Sequence, residues 1–283
     1  MAKNKNNVSN GQISLSALKI LKEVSVHSDE AFLKTASKQI SQSDFEAAFY
    51  STVPAIQLSA LEVAGYCADP WPVLPYLAAF TSARERRASS VAVLSLINAL
   101  NGISDLTKDP VFPVKGQKMQ LFITLDKTAA DTTLDKDIRA GALYGIVLLN
   151  NISGSNYIPD EALFFDKIAD IRIRALSMLP FPLDKNALKK LSVAAGDDDE
   201  TVKGCAASIL CENALSLGVD TLSEDLSDFI EEVLNEDNPR SSAGVMGCLA
   251  RLKPADRAGF SDIIANLKDS RLQSYWNELL NNS

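Results

Sequence analysis

From Ile13 onward, apolar positions recur at intervals of three and four residues. Ile13, Ala17, Ile20, Leu21 and Val24 make one such stripe, and Leu222, Leu226, Phe229, Ile230, Val233 and Leu234 make another. That spacing gathers side chains on one face of a helix. Thr221 and Glu224 stand in capping-box register ahead of the second stripe, which predicts a helix start there. No alternating series of the kind that marks a half-buried strand occurs. The expectation is an all-α chain of short amphipathic helices. Pro54, the "DPWP" at 69–72, Pro159, Pro180, Pro182 and Pro254 fall between the stripes, at turns or first-turn positions. Longer loops are predicted at 101–116 and 153–159. Residues 1–12, asparagine-rich and poor in apolar groups, read as a disordered tail.

The pattern repeats. "DIRAGALYGIVLL" begins at Asp137, "DIRIRALSML" at Asp170, "ETVKGCAASIL" at Glu200 and "DNPRSSAGVMGCL" at Asp237. Each copy opens on an acid. An apolar residue or proline then precedes a base, and an alanine follows three positions after the base. The bases are Arg139, Arg172, Lys203 and Arg240, spaced 33, 31 and 37 residues apart; the alanines are Ala142, Ala175, Ala206 and Ala243. "AIQLSALEVAG" is a weaker copy, with Gln57 and Ala60 in those slots, and "RERRASSVAVLSLINAL" is a degenerate one. Another amphipathic segment precedes each of the last three copies: "DEALFFDKI", "KNALKKLSVAA" and "LSDFIEEVL". The unit is therefore helix, turn, helix, with a period in the thirties.

The acid, the base and the alanines in this register resemble HEAT repeats over roughly residues 50–280. The resemblance implies a right-handed α-solenoid of roughly six to eight stacked antiparallel helix pairs, with second helices lining the concave face. Residues 13–283 would then form one domain, 13–53 as divergent N-terminal helices and 54–283 as HEAT-like repeats. It also implies a ladder of bonds between adjacent repeats, at Asp137, Asp170 and Asp237 and at Arg139, Arg172, Lys203 and Arg240. Lys203 in place of arginine and Pro239 in place of an apolar residue depart from the pattern. Stacked pairs bury a shared core that one pair alone lacks. Gly141, Gly145, Ala206, Ala207, Gly244 and Gly247 fall in second helices, where small residues let neighbours approach closely.

Charge changes the picture in one place. The net charge is −8, which disfavours attraction to nucleic acid or anionic lipid. Residues 184–237 hold 14 acids and 4 bases, a net of −10, so the remainder carries about +2. Asp197, Asp198, Asp199 and Glu200 form one dense part of this block. Glu224, Asp225, Asp228, Glu231 and Glu232 form the other. Beside the bland role of solvated helix faces, they are candidates for docking a basic protein segment by salt-screened steering. Trp71 and Tyr76, set among prolines, are candidate partner contacts.

Catalytic chemistry finds little support. His27 is the single histidine. The cysteines Cys67, Cys205, Cys211 and Cys248 show no metal-binding spacing. No phosphate-cradling glycine loop or nucleophile elbow occurs. No cofactor is expected. Arg84, Arg86 and Arg87 are too few for a strong phosphate footprint, although Ser89 and Ser90 beside them are candidate phosphorylation sites. No run is long enough to span a bilayer, and sparse, unpatterned cysteines point to a reducing cytoplasm. The expected function is a non-catalytic protein-binding scaffold or adaptor. The alternatives are a solenoid enzyme or an accessory chaperone cradling a prosthetic group, and a HEAT-like nucleic-acid binder.

Overall fold

Short polar side chains write the helix starts. Ser14, Asp29, Ser41, Asp184 and Ser223 each stand one residue before a helix and accept a backbone N–H three residues on. Each such cap contributes about 1 kcal/mol. The computed structural model describes residues 12–106, 116–218 and 222–281, excepting the side chains of 104–106. These residues form sixteen α-helices and one 3-10 turn, with no strand among them. The all-α expectation therefore holds. The predicted tail up to residue 11, the segment 107–115 and Thr221 lie outside the described residues.

The chain separates into two compact units, one ending at Tyr157 and the other beginning at Ile158. The first holds α1 (Leu15–Val24), α2 (Glu30–Ser37), α3 (Gln42–Phe49), α4 (Pro54–Ala64), α5 (Leu74–Phe80), α6 (Arg86–Leu106), α7 (Gln117–Ala130) and α8 (Lys136–Ser153). Helices α4, α6 and α8 pack one on the next. α5 and α7 pack on α6 and α8 and on each other, and α1, α2 and α3 gather on α4. Leu61, Leu74, Leu96, Leu100, Phe122 and Leu143 are fully buried between them. A polar thread crosses this interior: the Thr81 and Thr128 hydroxyls lie 2.7 Å apart, and the Ser89 hydroxyl donates to the Thr81 carbonyl. Ser89 is thus enclosed, and a kinase would not reach it in the folded chain. Residues 101–106, read from sequence as the start of a loop, instead continue α6.

The second unit opens on a 3-10 turn (Glu161–Phe165) and continues with α9 (Ala169–Leu176), α10 (Lys185–Ala195), α11 (Glu200–Ser216), α12 (Glu224–Asn235) and α13 (Pro239–Leu249). α14 (Pro254–Ala258), α15 (Ser261–Ala265) and α16 (Ser270–Asn281) complete it. Helices α9, α11, α13 and α16 pack in succession, with α10 against α11 and α12 against α11 and α13. Ile230, Val233, Leu234, Met246, Leu249 and Trp276 belong to a buried cluster here. The 3-10 turn replaces the amphipathic helix expected of "DEALFFDKI". Pro159 and the Asp160 cap start it, and Asp166, extended at φ −62° and ψ 150°, stops it after five residues. The Asp166 carboxylate then accepts the Ile168 N–H at 2.9 Å and turns the chain into α9.

Candidate functional site

The repeated base sits near the start of α8, α9, α11 and α13, and its reach differs from copy to copy. Arg139 is buried, and its Nε donates to the Ala129 carbonyl at 2.7 Å, at the C-terminal end of α7. It braces its own helix pair. Arg172 donates to the Asp166 carbonyl at 2.6 Å and to Asp197 at 2.7 Å, in the turn ahead of α11. Lys203 bonds Glu236, in the turn ahead of α13, and lies 3.8 Å from Glu232. Arg86, at the first position of α6, pairs at 2.6 Å with Asp135 ahead of α8. Three bases therefore reach forward to an acid in the turn before the next second helix. Arg240 instead reaches Asp170 at 4.0 Å, and Asp170 also holds Arg174 at 3.0 Å.

The acids that open the copies do not act as the caps their position suggests. Asp137 is exposed in the first turn of α8, and Asp135 ahead of it makes no cap bond. The caps come from Asp199, which accepts from Thr201 and Val202, and from Asn238, which accepts from Arg240 and Ser241. Asp237 adopts a left-handed φ of 53°, and its carboxylate accepts the Lys268 N–H at 3.2 Å. Asp135 and Glu236, the partners that sequence reasoning passed over, carried a signal: each is an acid just ahead of a copy.

The nine acids put forward as a docking surface fall into two kinds. Asp197 is held by Arg172, with each side chain only 15% exposed, and Asp199 is occupied as a cap. Asp198 and Glu200 are exposed, and the Glu200 carboxylate accepts from Asn238 at 3.3 Å. The other five lie on α12. Glu224, Asp225, Asp228 and Glu232 are exposed and Glu231 half-buried, whereas Ile230, Val233 and Leu234 are buried. At 100° per residue, positions 224, 225, 228, 231 and 232 share one side of the helix, opposite that apolar stripe. α12 contains no base to relieve them. Glu224 with Asp228, and Asp228 with Glu232, are like-charge pairs four apart, each costing a few tenths of a kcal/mol.

Trp71 and Tyr76 lie in the first unit, both half-buried. Tyr76 stacks on Phe49 at 5.1 Å, with Tyr50 edge-on at 6.2 Å. Burial, with the nearby Glu46 and Tyr50, raises its phenol pKa. His27 is exposed and meets the edge of Phe32 at 6.3 Å. Arg84, Arg86 and Arg87 are exposed at the start of α6, where Glu85 accepts the Arg87 and Ala88 N–H groups. All four cysteines are free thiols. Burial pushes Cys67 up to about 12 and Cys205 up to about 11, so both stay protonated at neutral pH and are poor nucleophiles. Among the described residues, no three or more His, Cys, Asp or Glu groups are placed to hold a metal ion, and no helix is long and apolar enough to cross a membrane. Comparison with protein-family models and with curated proteins finds no match.

Proposed function

We propose that this chain is a non-catalytic scaffold, a right-handed α-solenoid of HEAT-like helix pairs that docks the basic segment of a protein partner on the acidic face of α12. The observation that carries the reading is that face: five carboxylates aligned on one side of a twelve-residue helix that contains no base. The helix dipole favours Glu224 and Asp225 in the first turn, and Lys203 lies 3.8 Å from Glu232; Asp228 and Glu231 gain neither, and a cationic partner would relieve the repulsion along the stripe. The helix-on-helix packing within each unit and the repeated sequence copies support the solenoid part.

The test compares the full chain with a variant carrying Glu224→Gln, Asp225→Asn, Asp228→Asn and Glu231→Gln. Glu232 is left alone because it lies 3.8 Å from Lys203. Binding of a lysine-rich peptide should weaken at least about tenfold in the variant. In the unaltered chain it should fall steeply as ionic strength rises from about 0.05 to 0.5 M. Equal binding by the two proteins, or binding indifferent to salt, sinks the reading.

A further inference from the structure

Helices α11 and α13 meet in a fixed register. A Cβ added at Gly204 would lie 2.3 Å from the Ser241 Cβ, and one added at Gly244 would lie 2.8 Å from the Ser208 Oγ. Seven residues beyond Gly204 stands Cys211, and seven beyond Ser241 stands Cys248. Seven residues turn a helix to within about 20° of two full turns. Both cysteines therefore fall on the faces along which the helices touch, two turns on from Gly204 and Ser241. The contacts agree. The Cys248 Sγ lies 3.5 Å from the Ser208 carbonyl oxygen and 3.3 Å from the Glu212 Oε1, acceptors to either side of Cys211 on α11. It also shares a hydrogen bond with the Cys211 thiol. Both residues belong to the buried cluster of the second unit. Cys205, on the same helix, instead turns its thiol to the Ile173 carbonyl of α9 at 3.9 Å. A disulfide needs Cβ atoms about 3.5–4.5 Å apart. Helices whose Cβ positions would meet at 2.3 Å two turns earlier come close enough to supply that spacing.

We propose that Cys211 and Cys248 are a latent disulfide pair, which hydrogen peroxide closes to lock α11 to α13. One sulfur attacks a peroxide oxygen. The O–O bond breaks, giving a sulfenic acid, and the thiol proton leaves in a water molecule. The second sulfur then attacks the sulfenic sulfur. The S–S bond forms, the S–O bond breaks, and the second thiol proton leaves in a second water. The two thiols lose two electrons in all, and one peroxide is reduced to two waters. Glu212 Oε1, at 3.3 Å, is placed to take the Cys248 proton on its way out. Its hydrogen bond with Cys211, burial and the nearby Glu212 raise the Cys248 pKa above the ordinary thiol value. Thiolate is therefore scarce at neutral pH, and closure is slow. The pair answers sustained oxidation rather than a brief pulse. The loop closed between Cys211 and Cys248 carries the whole of α12, which packs on both linked helices. Oxidation would thus fasten that helix in place, whatever it docks.

The full folded chain is treated with hydrogen peroxide at neutral pH, its remaining thiols are alkylated, and it is digested with trypsin without reductant. Mass spectrometry should find the peptide 204–240 joined to the peptide 241–251, lighter than their sum by two hydrogen atoms and separated by dithiothreitol. The first peptide also contains Cys205, so the Cys205→Ser chain must give the same product and the Cys211→Ser chain must not. The oxidised chain should melt about 5 °C or more above the same sample after reduction, because the closed loop restricts the unfolded state. No link in the folded chain, or a link that appears only after unfolding in urea, overturns the proposal. So does a link through Cys67 or Cys205, sulfinic acid in place of a link, or a link that leaves the melting temperature unchanged. None of these readouts involves a basic peptide, so failure here is separable from failure of docking on α12.

Discussion

At position 204 the lack of a side chain decides how closely α11 and α13 meet. A Cβ there would lie 2.3 Å from the Ser241 Cβ and 2.7 Å from its Cα. The second contact is to backbone, which cannot rotate out of the way. Alanine gains roughly 1 kcal/mol over glycine in a helix, but an overpacked contact costs about 1–3 kcal/mol. The clash should win. Gly204→Ala is expected to destabilise the protein by about 1–2 kcal/mol in equilibrium urea unfolding. Gly247 tests the same reasoning with the opposite sign. The nearest atom to its added Cβ is the Tyr275 hydroxyl at 4.0 Å, an ordinary contact. Gly247→Ala should therefore stabilise by up to about 1 kcal/mol. If both substitutions shift stability in the same direction, close approach at Gly204 is not what the glycine provides. The sequence marks helical glycines as places of possible contact, but it does not tell these two apart. Which one touches depends on how far each helix is rotated toward its neighbour, and no single helix records that.

Between elements, the bond from Lys203 to Glu236 ties α11 to the turn before α13. Glu236 is 18% exposed at its side chain, and its Oε2 is buried without a partner. Removing the lysine leaves a poorly solvated carboxylate, a loss expected to cost about 1–3 kcal/mol. Lys203→Met should destabilise by that amount. Adding Glu236→Gln should recover part of the loss, giving a coupling of about 1 kcal/mol or more in a double-mutant cycle. The pH dependence has a definite sign. The hydrogen bond to Glu236 raises the Lys203 pKa above the usual 10.5. Its contribution is therefore complete below about pH 10.5 and is lost as pH rises through the higher folded value. A coupling that persists unchanged well into the alkaline range would contradict an ionic link. At this scale the repeated base was legible, because a fixed residue at a spacing in the thirties needs no structure to see. Its partner was not. The acids opening each copy drew attention, whereas Asp135, Asp197 and Glu236 in the preceding turns take the bonds. Sequence register places a residue on a helix; the path of the turn decides which acid comes within reach.

Across the whole chain, the sequence copies and the compact units do not divide at the same kind of boundary. The first clear copy, from Asp137, lies in α8 at the end of the first unit, and the other three lie in the second. The break between Tyr157 and Ile158 falls where the expected first helix of the second copy shrinks to a five-residue 3-10 turn. A segment reduced to one helix and a turn offers less apolar surface of its own than a helix pair would. The chain before the break also closes on itself: Tyr157 stacks on Phe122 at 4.6 Å, its hydroxyl donates to Asp126 at 2.9 Å, and Asn150 holds its backbone at both the N–H and the carbonyl. Beyond the break, the second unit has its own buried cluster around Ile230, Val245, Met246 and Trp276. Each piece exceeds the roughly 40–60 residues at which a single core becomes able to sustain itself. Residues 12–157 and 158–281, expressed separately, should each show a helical circular-dichroism spectrum and one cooperative urea transition. The slope of each transition should scale with the length of its piece. If either piece unfolds without cooperativity while the full chain unfolds in a single step, the two cores are not self-sufficient, and the repeats must be treated as one continuous cooperative array.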